Sequence, residues 1–274
     1  MPELPEVETV RRFLEPVVTG RRMVLVEVNH PRTVRRNLHP EDVVDRLTGA
    51  VVERLDRQGK FLFGLLDNGM TWITHLGMSG RVAVALPSQP RANHTHFVAR
   101  TDRGEEVRLV DPRTFGFVAV VTPEERDRFT ELGPDALTSL PRASSLARSL
   151  AGRTAPIKSL LLDQRLLAGL GNIYADEVLH RAGVRPTRAG GGLNAEEVKR
   201  IRSAVKPILT AGITAGGTSL DDLAYLLPDG RAGGYLDRLR VYGREGEHCH
   251  RCGTLIERVV VGGRSSFYCP TCQL

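Results

Sequence analysis

Apolar positions change their period twice along the 274 residues. Val7, Val10, Leu14 and Val17 recur at helical spacing and predict an amphipathic helix over 7–18, led by Glu3 and Glu6. Carboxylates at that end complement the helix dipole, which explains them without any chemistry. From residue 22 to about 121 the period shortens. Runs at 24–28, 61–66, 70–74, 81–85 and 117–121 read as strands, with turns at Gly59, 67–69 and 102–104. This pattern predicts an antiparallel sandwich.

From about residue 122 the helical period returns. Thr122-Pro123-Glu124-Glu125 reads as a helix start and 139–149 as a linker-like stretch of little order. Helices are expected at 143–150, 156–163, 173–183 and 194–211, interrupted by the glycine turn Gly169-Leu170-Gly171-Asn172. Residues 212–234, rich in Gly, Asp and Thr, read as a mobile loop, and the chain closes on a hairpin. The expected class is α+β and multidomain. A sandwich domain spans 1–121, a linker and first helix 122–150, a helical domain 151–240 and the hairpin 241–274.

Composition adds modestly to this picture. Hydrophobic content of 41% supports real cores, and the length favours two lobes with a small appendage. No apolar run reaches the length of a membrane span, so the expectation is a soluble, cytoplasmic protein without membrane contact. The net charge of +6 favours a polyanionic partner. Only Lys60, Lys158, Lys199 and Lys206 are lysines, which makes the place of each worth noticing.

The sharpest chemical signal is cysteine spacing. Cys249-x2-Cys252 and Cys269-x2-Cys272 hold all four cysteines, with sixteen residues between the pairs. That spacing predicts one structural Zn2+ held by four thiolates, with no ligand position left open for catalysis. His248 and His250 flank the first pair and are read as surface residues. Arg264 follows Gly262-Gly263 at the likely hairpin tip, where a guanidinium can reach a phosphate or simply meet water.

At the other end, removal of Met1 would leave the secondary amine of Pro2 at the terminus. An α-amino group has a pKa near 8, so far more of it is unprotonated at neutral pH than of a lysine. Such an amine attacks an electrophilic sugar carbon and yields an iminium, for which Glu3 and Glu6 could handle protons. Two further turns stand out: His75-Leu-Gly-Met78-Ser-Gly80, and Asp111-Pro-Arg113-Thr-Phe115-Gly116. Met78 and Phe115 are ordinary as core residues. As a set on loops they suit a wedge entering a stacked duplex.

Together these pieces resemble the bacterial formamidopyrimidine-DNA glycosylase family along the whole chain. The resemblance is carried by residues 2–9, Gly59-Lys60, 75–80, 111–116, Gly171-Asn172-Ile-Tyr-Ala175, Gly216-Gly217-Thr218, Val241-Tyr-Gly-Arg244 and the zinc hairpin with Arg264. It implies a β-sandwich domain, a helix-two-turn-helix DNA-binding domain and a zinc hairpin. It also implies a bifunctional glycosylase and abasic-site lyase that removes oxidised purines from damaged double-stranded DNA as a monomer. Carried over by residue, Pro2 is the nucleophile, Glu3 the general acid and Glu6 a positioning group. Lys60, Asn172 and Arg264 grip phosphates with His75 as helper. Met78, Arg113 and Phe115 fill the vacated stack, and Lys158 is a secondary DNA contact. Gly217, Thr218 and Ser219 belong to a base-covering lid.

Two departures stand against the family pattern. The loop 216–230 is longer and more acidic, and Thr114 replaces a second basic residue. The alternatives are an endonuclease VIII-like enzyme preferring oxidised pyrimidines, and a non-catalytic zinc-ribbon DNA-binding protein. Leu4 and the Arg113/Phe115 pair favour the purine enzyme. Pro2, Glu3 and Glu6 kept together count against a pure binder.

Overall fold

The structure is a computed structural model that describes residues 2–37, 39–126, 129, 131–220 and 225–274. The chain forms two compact units, Met1–Glu131 with Ala215–Leu236, and Leu132–Thr214 with Asp237–Leu274.

In the first unit, helix α1 (Leu4–Val18) buries Leu4, Val7, Val10, Leu14 and Val18. It starts earlier than the apolar stripe because Glu3 and Glu6 close a capping box and Pro5 sits where no amide hydrogen is missed. One antiparallel sheet runs β1-β6-β7-β5, from Met23–Val28, Thr95–Thr101, Glu106–Val110 and Arg81–Ala85. The other runs β2-β3-β4-β8, from Val52–Gln58, Phe61–Leu66, Thr71–His75 and Phe117–Val121. Alternate residues of both sheets share one core with α1 and with α2 (Asp42–Leu47): Met23, Val26, Phe97 and Leu109 from one, Leu55, Leu62, Trp72 and Val118 from the other. The intervening positions of the second sheet, Phe63, Ile73, Phe117 and Ala119, fill a separate cluster. That sheet is therefore buried on both faces, which explains its nearly continuous apolar sequence.

Strands β2, β6 and β7 were not among the expected strands. Glu106 and Arg108 lie inside β7 yet are buried, the carboxylate meeting Arg108 at 2.8 Å and Arg100 at 2.6 Å. Their charges mask the strand in the sequence.

The second unit follows α3 (Pro123–Arg126), a short helix of the first. It contains α4 (Ala143–Leu150), α5 (Ile157–Leu162), α6 (Asn172–Ala182) and α7 (Ala195–Thr214). The helix expected at 143–150 forms as α4, inside the stretch also read as linker-like, and is anchored by buried Leu146 and Leu150. The terminal hairpin pairs β9 (Glu257–Val261) with β10 (Arg264–Tyr268) through Gly262 and Gly263, both at positive φ as a tight two-residue turn requires.

Residues 215–220 and 225–235 are not a loose loop. Tyr225 joins the sandwich core and donates its hydroxyl to Gly216 O, while Ser219 Oγ donates to Tyr225 O and accepts from Gly233 N. The acidic pair Asp221 and Asp222, part of the expected longer lid, lies outside the described residues.

Candidate active site

The N-terminus of α1 brings Pro2, Glu3 and Glu6 into one buried cluster. Glu3 is 2% exposed and Glu6 1%. One Glu6 carboxylate oxygen accepts the Glu3 amide hydrogen at 2.9 Å, and the other accepts that of Thr218 at 2.7 Å. Glu6 therefore ties the backbone beside Pro2 to the start of the 217–219 segment, over 200 residues away in sequence. Gly217 has to be glycine there. Its φ is +84°, and a Cβ would meet Glu6 Oε1 at 2.9 Å and Tyr225 Cε1 at 3.0 Å. Burial, then the Glu6 charge, pushes the Tyr225 phenol well above its ordinary pKa, so it stays a neutral donor.

Lys60 follows Gly59 in the β2–β3 turn, where Gly59 takes φ +56°. Its ammonium is near His75, at the end of β4. Burial and the charges of Lys60, Arg36 and Arg35 lower the His75 pKa to about 4. The imidazole is therefore neutral at pH 7. Its Nδ1 accepts the Gly77 amide hydrogen at 3.1 Å, which leaves the proton on Nε2 as a donor.

Met78 and Phe115, expected as wedge residues, are 39% and 38% exposed. Their two turns touch through backbone, since a Cβ on Gly77 would lie 2.5 Å from Gly116 N. The Arg113 guanidinium lies 5.3 Å from the centre of the Phe115 ring. The structure thus brings three of the expected stacking residues to one edge of the sandwich.

In the second unit, Asn172 opens α6, with its Nδ2 3.4 Å from the Tyr242 hydroxyl and its buried Oδ1 without a hydrogen bond. Arg264 is exposed at the start of β10. Lys158 departs from the expected DNA contact. Its side chain is 0% exposed, bonded to Asp176 Oδ1 at 2.9 Å and to Ser265 O at 2.8 Å. Asp176 also accepts from Ser266 Oγ and Phe267 N, so the pair braces the strand that begins with Arg264. Burial raises the Asp176 pKa to about 6, against the pull of the Lys158 ammonium.

Glu177, which sequence reading missed, accepts amide hydrogens from Arg240, Val241 and Tyr242 and so fixes the approach to the hairpin. Two carboxylates among Ile173, Tyr174, Ala175, Val178 and Leu179 were the available signal. Carboxylates flanked by apolar residues on both sides are not buried without partners.

The sulfurs of Cys249, Cys252, Cys269 and Cys272 all lie within 4.8 Å of one another. Amide hydrogens of Arg251 and Cys272 point at Cys249 and Cys269 sulfur, as suits thiolates. His248 and His250 are exposed and outside the cluster. The four cysteines form one structural zinc site, closed by four protein ligands.

Family models match in chain order. Formamidopyrimidine-DNA glycosylase N-terminal domain covers 1–118, its H2TH domain 132–223, and a zinc finger found in FPG and IleRS 246–274. The chain belongs to the formamidopyrimidine-DNA glycosylase family. A formamidopyrimidine-DNA glycosylase of Rhizorhabdus wittichii is 47% identical and one of Geobacillus kaustophilus 42%, each over the full length of both chains. Among solved structures, Lactococcus lactis Fpg with an abasic site containing DNA superposes at a TM-score of 0.90 with 32% identity, covering 99% of both chains. MutM in complex with carbocyclic 8-oxo-G containing DNA gives the same values. The protein is thus a DNA glycosylase of this family, with the expected sandwich, helix-two-turn-helix region and zinc finger.

Proposed function

We propose that this glycosylase excises oxidised purines, chiefly 8-oxoguanine and formamidopyrimidines, from double-stranded DNA and then cleaves the strand by β,δ-elimination. The observation that carries this reading is the Glu6 tie, which holds Pro2, Glu3 and the 217–219 segment in one buried cluster.

Once Met1 is removed, the Pro2 nitrogen attacks C1′ of the damaged nucleotide and the bond to the base breaks. Glu3 protonates the sugar ring oxygen, the ring opens, and the C1′–N link becomes an iminium. That cation acidifies C2′, so loss of a C2′ proton expels the 3′ phosphate. A second elimination expels the 5′ phosphate and leaves a one-nucleotide gap. Gly217, Thr218 and Ser219 cover the extruded base. Lys60, with His75 donating from Nε2, holds phosphate oxygens, as do Asn172 and Arg264 in the second unit. Met78, Arg113 and Phe115 occupy the vacated stack, and Arg113 reads the opposite cytosine. The enzyme acts as a monomer in the cytoplasm.

Borohydride trapping on an 8-oxoguanine:cytosine duplex, followed by peptide mass mapping, tests the reading. It expects an adduct on Pro2 with Met1 absent. An adduct on Lys60 would discard the assignment of the nucleophile. Strong preference for a thymine glycol duplex would move the substrate to oxidised pyrimidines.

A further inference from the structure

The turn that presents Arg113 and Phe115 is held from both sides by groups that never reach its tip. Asp111, 1% exposed, accepts the Gly116 amide hydrogen at 2.7 Å and that of Arg113 at 3.4 Å, and also takes the Ser79 hydroxyl from the neighbouring Met78 turn. From the other side, Arg35 donates to the carbonyls of Phe115 at 2.9 Å, Gly116 at 2.8 Å and Thr114 at 3.4 Å, with a fourth bond to Arg32 O. Thr114 between them has φ +52°, a conformation that costs a non-glycine residue energy and persists only when its surroundings enforce it. A rigid guanidinium fork facing three successive carbonyls is such an enforcement. The turn's backbone is committed to these partners, so the Phe115 and Arg113 side chains stay outside the core.

We propose that Arg35 and Asp111 are positioning residues that clasp the Arg113–Phe115 turn and register it against Met78, setting the wedge before the damaged nucleotide is extruded. This rests on the reading that Met78, Arg113 and Phe115 fill the vacated stack. The clasp touches no reacting atom. Its loss affects extrusion and recognition of the opposite base, and leaves the amine chemistry intact.

The test uses full-length, zinc-loaded protein with Arg35→Met, Arg35→Lys and Phe115→Ala. Extrusion is followed by 2-aminopurine fluorescence beside 8-oxoguanine. Excision is measured in single turnover opposite C and opposite A, and lyase chemistry by borohydride trapping on an abasic site in single-stranded DNA. Arg35→Met is expected to slow extrusion and duplex excision about tenfold and to narrow the preference for C over A. That loss is smaller than the roughly hundredfold that a misplacement of about 1 Å can cause, because Asp111 still holds the turn from its other side. Single-strand trapping should stay within about twofold, and the salt dependence of duplex binding should not change. Arg35→Lys, which cannot span three carbonyls, should fall between. Wild-type extrusion in Arg35→Met while Phe115→Ala is slow would overturn the clasp alone. A salt slope lowered by about one would assign Arg35 to a phosphate instead and also overturn it. Wild-type extrusion in Phe115→Ala would sink the wedge reading, and the clasp with it.

Discussion

Single residues here act mostly by what their backbone neighbours demand of them. Glu6 accepts two amide hydrogens that have no water to turn to, one beside Pro2 and one at Thr218. Glu6→Gln keeps the shape but turns an NH2 toward one of those donors. Leaving a buried donor unsatisfied costs about 1–3 kcal/mol. Lower thermal stability and slower base excision should therefore appear together, by calorimetry and single-turnover assay. An unchanged melting curve would contradict the tie. His75 gives a prediction in pH. The unfolded chain binds its proton near the ordinary value of about 6.5, and the folded protein only near about 4. Between those values the unfolded state holds more protons, so stability rises with pH across the window and is lost as pH falls through it. An NMR titration of the ring should show no midpoint above pH 5. A midpoint near 6.5 would remove both the neutral imidazole and the Nε2 donor assigned to it.

At the scale of elements, the sequence announces apolar structure and hides charged structure. The strands at 61–66 and 117–121 are legible because a sheet buried on both faces needs unbroken hydrophobicity. Strand β7 is not, because Glu106 and Arg108 neutralise each other inside it. The cysteine pairs state their own geometry. The partnership of Glu6 with Thr218 and that of Lys158 with Asp176 could not be read, since no helical or strand period relates the residues of either pair. That last pair makes α5, α6 and β10 one mechanical piece. Lys158→Met leaves a carboxylate that can neutralise by protonation, so the fold survives while the brace on β10 goes. DNA affinity should fall about as far as in Arg264→Ala, and the double variant should add little, because both changes act on one hairpin. Arg264→Ala itself should lower the salt slope by about one. Strict additivity, measured by fluorescence anisotropy at several salt concentrations, would mean that Lys158 does not act through Arg264.

For the whole molecule, apolar packing is divided unequally between the sandwich and the zinc hairpin. The first owns a large core shared by two sheets, α1, α2 and Tyr225. The zinc hairpin owns little more than Val241, Cys249, Ile256 and Cys269, with Phe267 packed alongside. A two-stranded hairpin is marginal in water, and four clustered sulfurs without a cation repel as thiolates or lose their order as thiols. Metal binding therefore contributes most of the hairpin's folding free energy and almost none of the sandwich's. Stripping zinc with a strong chelator, or replacing Cys269 with Ser, should release the hairpin and loosen its hold on Asp176 and Lys158. The sandwich should keep its melting transition. Calorimetry should show that transition nearly unmoved, with the transition of the helical unit shifted down or lost. Duplex binding should weaken strongly, because Arg264 loses its platform. Borohydride trapping on a single-stranded abasic site should persist, since Pro2, Glu3 and Glu6 all lie in the sandwich unit. If chelation instead abolished the sandwich transition as well, the two units would be one cooperative fold, and zinc would hold Pro2, Glu3 and Glu6 in place along with Arg264.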